Sequence, residues 1–430
     1  MRIATRLLVL LAIGLTAAAV MPAPAVSQTA GELTVEELVL RALADNPDLK
    51  AARIEVEAAT ARVLQAGLRP NPMLELGGQK ALSPDNNFNI GVRLPLDLNG
   101  RKEGRVGVAQ RGLDTKRQQV ADHERRLRAD VRMKAGEVLA AQRSLRVIGD
   151  LLRVNRDGLA VVANRVREGA APSLDESLQL VEVNRLDASR QLAGSRVEIA
   201  ALQLKALAGM APDSPLIVKG DLSSAPLRLD RTQAMERSIS DRADVAVARA
   251  DAAMAAAMVR KEQAEGRWDA SINVGYQRQD FGFMLSGLTA SGATRPIQDV
   301  FHYFGGGISI TLPVRDANQG NIAAAKAAVR AAERRVDFAV LTVQQEVAAA
   351  FTQYAAAQRS LQLYERGVRD VASRNVETVR QAYELGRGSL LEVIAEQRRY
   401  IEIENGYTDT LKQVYDAAVD IERAVGVAAR

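Results

Sequence analysis

The stretch Asn321–Leu385, NIAAAKAAVRAAERRVDFAVLTVQQEVAAAFTQYAAAQRSLQLYERGVRDVASRNVETVRQAYEL, decides how this chain is read. Its 65 residues hold no proline and one glycine, Gly367, so as a single helix at ~1.5 Å per residue it reaches roughly 100 Å. No compact core is that deep. Val336, Val343, Ala350, Ala357, Tyr364 and Val371 recur at every seventh position, and Val340, Val347, Tyr354, Leu361 and Val368 form a second series four residues behind. An a/d seam sustained for about five heptads forces a left-handed supercoil against another long helix.

The chain supplies that partner. From Asn99 to Glu168 a second helical run carries Val131, Val138, Leu145, Leu152, Leu159 and Val166 seven apart. Gly169 to Ser173 breaks it, and a return helix spans about 174–207. Gly386 stands 217 positions after Gly169 (386 − 169), Ser389-Leu390 echoes Ser173-Leu174, and a second return helix spans about 390–424. Upstream, Thr34 with Glu37 makes a capping box, and Asn46-Pro47 starts a helix to about Gly67. Asp230, Asp244 and Ala248 follow Thr34, Asp48 and Ala52 by 196 positions (230 − 34). The chain is therefore a duplicated unit, 28–210 and 230–430, joined by a proline-bearing connector at 211–229.

Each unit also holds a strand pair, about 73–80 with 87–94 and about 271–279 with 303–312. Phe88, Ile90, Val92 and Leu94 alternate with Asn87, Asn89, Gly91 and Arg93, so one face is oily and the other wet. Leu94-Pro95-Leu96 returns as Leu312-Pro313-Val314 with the prolines 218 apart, which leaves 22 extra residues (218 − 196) in the second unit. They are expected mostly as a loop from Asp280 to Phe301. Trp268, Tyr276, Phe281, Phe283, Phe301 and Tyr303 surround the second pair, as an interfacial aromatic belt does.

Composition narrows the setting. Arg2 and Arg6, an apolar run from Leu7 to Val20, and small residues at Ala23, Ala25 and Ser27 mark 1–27 as a secretory signal peptide. With no cysteine there is no disulfide and no thiol for a lipid, so the exported chain is expected to be unlipidated. The net charge is +5, of which the signal segment supplies two arginines, too mild a balance for nucleic acid. The two histidines, His123 and His302, are far apart, so no resident metal or cofactor is expected, and no catalytic constellation stands out. Four strands near the ~9–11 residues that cross a bilayer cannot close a barrel, and an open edge in hydrocarbon costs several kcal/mol per unpaired group. Three copies would give twelve strands. The expected fold is mostly α with a membrane β part: a trimer forming a 12-stranded β-barrel in outer-membrane lipid and a long α-helical barrel; the other reading of the strands is a small soluble sheet capping a coiled coil.

The Asn46-Pro47-Asp48-Leu49 start, Arg69-Pro70-Asn71-Pro72, the two Leu-Pro motifs and the two Gly-to-Ser-Leu turns, in duplicated order, resemble the TolC family of outer-membrane efflux proteins. The resemblance covers almost all of the chain after the signal segment. It implies a homotrimer in the outer membrane of a Gram-negative type cell, with a large periplasmic portion, working with a periplasmic adaptor and an inner-membrane pump. Gly100-Arg101-Lys102 is similar to members that serve heavy-metal pumps. The resemblance also places Glu392 in an acidic ring at the tip, with Ala395 where a second acid is expected and Glu396 beside it. Tyr383, Glu384 and Arg387 are expected to latch the tip, and Gly169, Ser173, Gly386 and Ser389 to meet the adaptor, whereas Asp175 and Glu176 read as N-terminal helix charges. The alternative is a periplasmic coiled-coil adaptor or scaffold, which needs one hairpin and a large β domain rather than two hairpins and two strand pairs.

Overall fold

The computed structural model describes residues 31–82, 85–223 and 230–426; the expected signal peptide and part of the 211–229 connector lie outside the described residues. The first half runs β1 (Glu32–Thr34), α1 (Val35–Asp45), α2 (Pro47–Ala66), β2 (Met73–Lys80), β3 (Asn86–Pro95), α3 (Arg101–Arg167) and α4 (Ser173–Leu207). After β4 (Ile217–Lys219), the second runs α5 (Arg231–Asp241), α6 (Ala243–Glu265), β5 (Asp269–Leu288), β6 (Thr294–Thr311), α7 (Gln319–Leu363), a π-helical segment (Tyr364–Val368), α8 (Arg369–Glu384) and α9 (Leu390–Val425).

The two halves repeat in their packing as well as in their order. Leu38, Ala42 and Leu49 are fully buried, and so are Ala234, Ser238 and Val245, the residues 196 positions later (234 − 38). All but the polar Ser238 belong to two apolar cores, one of α1 with α3 and the end of α4, the other of α5 with α7 and α9. The turn between the short helices is pinned by a different residue in each half. Asn46 accepts from the Leu49 amide as N-cap and donates its Nδ2 to Leu207 O at 2.9 Å, the last turn of α4. Its counterpart Arg242, 2% exposed, donates to Ala424 O at 3.2 Å in the last turn of α9 and to Glu346 at 2.6 Å. An amide and a guanidinium do one job; the larger cation also recruits a carboxylate, since a buried charge must be paired.

One four-stranded antiparallel sheet, in the order β2-β3-β5-β6, joins the halves through β3 and β5, with Ile90 opposite Tyr276 and Val92 opposite Val274. Directly paired residues share a face. Leu74, Leu76, Phe88, Ile90, Val92, Ile272, Val274, Phe304 and Ile308 share one face and are all exposed. The other carries Glu75, Asn89, Arg93, Asn273, Gln277 and Ser309, linked from Glu75 to Arg93 at 2.8 Å, Arg93 to Asn273 at 3.2 Å and Asn273 to Ser309 at 2.6 Å. An oily face turned outward beside a hydrogen-bonded wet face is the pattern of a wall between lipid and water. No helix of the described residues is long and apolar enough to cross a membrane.

Three features differ from the sequence reading. The stretch 280–301 is not mainly a loop: β5 continues to Leu288 and β6 begins at Thr294. The alternation there is disguised by a bulge between Phe283 and Ser286 and by Pro296 beside it. Past Asp280 this hairpin has no partner strand among the described residues, because β3 ends opposite it. The aromatic residues also divide between faces: Tyr276 lies on the oily side, and Phe281, Phe283, Phe301 and Tyr303 share the face of Gln277 and Gln279. They do not form one lipid-side belt.

The long second-half helix is jointed. Val343, Val347, Ala350, Tyr354 and Ala357 are buried at alternating spacings of four and three, as the seam demands. From the end of the π segment on, the expected Val368 and Val371 are exposed, and the buried side moves to Ala372, then to the half-buried Val376, Val379 and Tyr383. From Tyr364 to Ala372 is eight positions instead of seven, one residue taken up by the wide π turn. Leu38→Ala should cost about 3 kcal/mol by opening a cavity in a fully buried site, read as a lower denaturant midpoint.

Candidate functional site

The far end of the helices, opposite the sheet, is built from two matching turns. Gly169 and Gly386 adopt left-handed φ values of 73° and 72°. In each turn the glycine amide donates to a carbonyl three residues back, Gly169 to Val166 at 3.0 Å and Gly386 to Tyr383 at 2.9 Å. The following amides of Ala170 and Arg387 reach Arg165 O and Ala382 O. A side chain at either glycine would strain that backbone, so both ends are stopped by C-caps. Ser389 then caps α9, with its hydroxyl accepting from the Glu392 amide and its amide donating to Glu392 Oε2 at 3.2 Å. The Glu392 carboxylate is thus turned back on its own helix.

Across the tip, the Tyr383 hydroxyl of α8 donates to Asp175 Oδ2 of α4 at 3.1 Å. The Arg165 guanidinium lies 5.8 Å over the Tyr383 ring. Burial, then the bond to the anionic Asp175, hold the Tyr383 phenol above its ordinary pKa, so it stays a donor through the neutral range. Beneath this bond Leu390, Val393 and Ile394 of α9 pack with Leu178 of α4 and Val379 of α8. The pairing depends on the one-residue shift at the π segment, which turns α8 so that Tyr383 lies on the seam.

Only part of the expected latch is brought together. Glu384 sits 3.4 Å from Arg380 on its own helix, and Glu396 pairs with Arg399 at 3.0 Å. Arg387 is exposed and makes no ion pair among the described residues. Ser173 opens α4, its carbonyl accepting from Ser177. Asp175, read from sequence as a helix-end charge, is the partner of Tyr383. The duplication held the signal for it: Asp175 and Glu392 are 217 positions apart (392 − 175), the spacing of the two tip glycines, so the turns present equivalent acids. One accepts from the neighbouring hairpin and the other caps its own helix.

Further from the tip, two buried carboxylates tie the hairpins together. Glu182 of α4, 1% exposed, accepts from Arg185 and, across the gap, from Arg398 of α9 at 2.9 Å. Burial alone raises its pKa, and the hydrogen bonds from Arg185 and Arg398 outweigh that and hold it below the usual range. Glu404 of α9 accepts from Arg143 of α3 at 3.2 Å and from Arg369, the first residue of α8 past the π segment, at 2.5 Å. Both guanidiniums flank the Tyr407 ring, at 5.0 and 5.2 Å. At the sheet end, Arg101 reaches the carbonyls of Glu265 and Arg267 and the carboxylate of Asp269, pinning the start of α3 to the α6–β5 corner. No group of three or more potential metal ligands occurs among the described residues.

A wall with one oily and one wet face, carried on two hairpins tied at their far ends, defines a duct-forming envelope protein. The chain belongs to the outer membrane efflux protein family, whose sequence profile matches residues 38–210 and 234–427. It is 24% identical over 402 residues to the cobalt-zinc-cadmium resistance protein CzcC of Cupriavidus metallidurans, covering 93% of this chain and 91% of that one. Its fold is similar to CusC, with a TM-score of 0.72, 18% identity and coverage of 95% and 98%, and to MtrE of Neisseria gonorrhoeae, with 0.71, 18%, 91% and 88%. The chain is an outer-membrane exit duct of a tripartite efflux system, a transport role and not an enzymatic one. Its working partners are an adaptor and an inner-membrane pump.

Tyr383→Phe removes one hydrogen bond to a carboxylate acceptor, worth about 1.5 kcal/mol, and should lower the stability read from denaturant unfolding by about that amount. Deleting Gly367 should act more strongly, because losing one residue rotates α8 by ~100° and carries Tyr383 away from Asp175. The Glu182 contribution is present above the ordinary carboxylate pKa and disappears as pH falls through its lowered folded value. Glu182→Gln should therefore flatten the acid limb of a stability-against-pH curve below about pH 4.

Proposed function

We propose that three copies of this chain close one twelve-stranded barrel, β6 of each copy pairing with β2 of the next, above a tube of twelve helical columns. The observation that carries this is the sheet itself. Its edges, β2 and β6, have no partner strand among the described residues, yet its oily face belongs in hydrocarbon, where unpaired backbone groups are not tolerated. In this reading residues 1–27 direct export, the chain carries no lipid, and Gly169, Ser173, Gly386 and Ser389 form the periplasmic tips that meet the adaptor. The Tyr383–Asp175 bond closes the tip. Arg387, Glu384, Glu396 and Glu392 line its rim, the last released from its cap when the turn moves.

The cargo we infer is a divalent heavy-metal cation. The support is the likeness, along nearly the whole chain, to a protein named for cobalt, zinc and cadmium resistance. Heat-modifiable trimers in the outer-membrane fraction are the expected outcome for the assembly, and a soluble monomer would overturn it. Deleting the gene should lower tolerance to zinc, cobalt or cadmium salts; unchanged growth on all three, with tolerance to organic drugs reduced, would reassign the cargo.

A further inference from the structure

We propose that Phe281, Phe283, Ile297, Phe301 and Tyr303 form an apolar collar at the outer mouth of the duct, a second constriction separate from the helical tip. The proposal rests on the trimeric barrel reading above, because each copy supplies one third of the ring.

The register of the sheet carries the argument. Within the membrane wall the wet face is lined by Glu75, Asn89, Arg93, Asn273 and Gln277, and in a barrel whose other face meets lipid, this face lines the lumen. Following the β5–β6 ladder outward, Gln277 faces Tyr303, Gln279 faces Phe301, Phe281 faces Asp299 and Phe283 faces Ile297, all on that same face. Aromatic rings thus enter the lining at Tyr303 and Phe301, opposite the amides Gln277 and Gln279, and beyond the end of β3 at Asn86–Asp280 the β5–β6 hairpin continues it with Phe281, Phe283 and Ile297 beside Asp299. Phe281 meets Phe301 edge to face with centroids 5.6 Å apart, and Phe301 stacks on Tyr303 at 6.5 Å. The rings are mutually packed and still exposed toward the lumen side, from 36% at Phe301 to 46% at Tyr303. Such a cluster on a water-facing surface asks for a function or a partner.

Barrel size makes the lining decisive. Eight strands leave an interior that side chains fill, and sixteen leave an open channel. Twelve lie between, where bulky residues narrow the bore and small ones do not. Just below the collar the rung of Glu75, Gly91, Gly275 and Gly305 contributes one side chain per copy, that of Glu75. A wide wet segment therefore opens into a narrow apolar one, which resists re-entry of hydrated ions by the cost of stripping their water.

The absence of cysteine allows a direct test on whole cells. Thr289→Cys places one thiol at the outer hairpin tip, and Ser309→Cys one on the wet face below the collar, beyond the glycine rung. A membrane-impermeant sulfonated maleimide is added from outside. With the aromatic residues intact, S309C should react at least about tenfold more slowly than T289C, and combining S309C with Phe281→Ser, Phe283→Ser and Phe301→Ser should shrink the gap to about twofold. Should the triple change prevent trimer formation, S309C with Phe283→Trp should widen the gap. Equal labelling of S309C and T289C, or a gap indifferent to these substitutions, overturns the collar while leaving the duct intact. Failure of T289C to label from outside overturns the barrel reading and the collar with it.

Discussion

A strand that is oily on one side and wet on the other rests stably only between two solvents, and most of this chain follows from that constraint. The sheet cannot be folded into a globule without burying Glu75, Arg93 and Asn273 or leaving Phe304 and Ile308 in water. It therefore contributes almost nothing to a conventional core. Packing is left to the helices, which hold two modest apolar clusters near the short helices and then a thin seam toward the tip. Along that thin part the burial is too narrow to hold two hairpins by apolar contact alone. Paired carboxylates take over there, with Glu182 and Glu404 each held by two arginines.

Duplication makes the plan economical without making the halves identical. Asn46 and Arg242 occupy matching turns and reach matching carbonyls, but only the arginine also draws in Asp244 and Glu346. The tip turns diverge in the same way, Asp175 looking outward to a tyrosine and Glu392 inward to its own serine. What is preserved between copies is backbone geometry, and what varies is the chemistry hung on it.

The parts legible in the sequence were those written as periods. Seven-residue spacing, two-residue alternation and the offsets of 196 and 217 positions between copies outline the helices, the strands and the repeat, because each period records a face meeting a particular solvent. Features that interrupt a period were hidden. The bulge at Phe283 and Ser286 broke the alternation and made a strand resemble a loop. The π segment added one residue to a heptad run, so Val371 looked buried and Ala372 did not, while the structure reverses them. Asp175 was obscure for another reason: a carboxylate in the first turn of a helix already has a sufficient local explanation, and only its place opposite Tyr383 shows a second use.

The π segment sets one hairpin apart from the other. α3 runs without interruption for 67 residues, whereas its counterpart is divided just before Arg369. Beyond the division α8 has 16 residues, a lever arm of about 24 Å with Tyr383 near its free end. A bend of only ~10° at the fulcrum swings that end by ~4 Å, more than a hydrogen bond can stretch. The Arg369–Glu404 pair sits at the short end of the lever, where displacement is least, and the Tyr383–Asp175 bond at the long end, where it is greatest. A small rotation can therefore spare the buried ion pair and part the exposed tip.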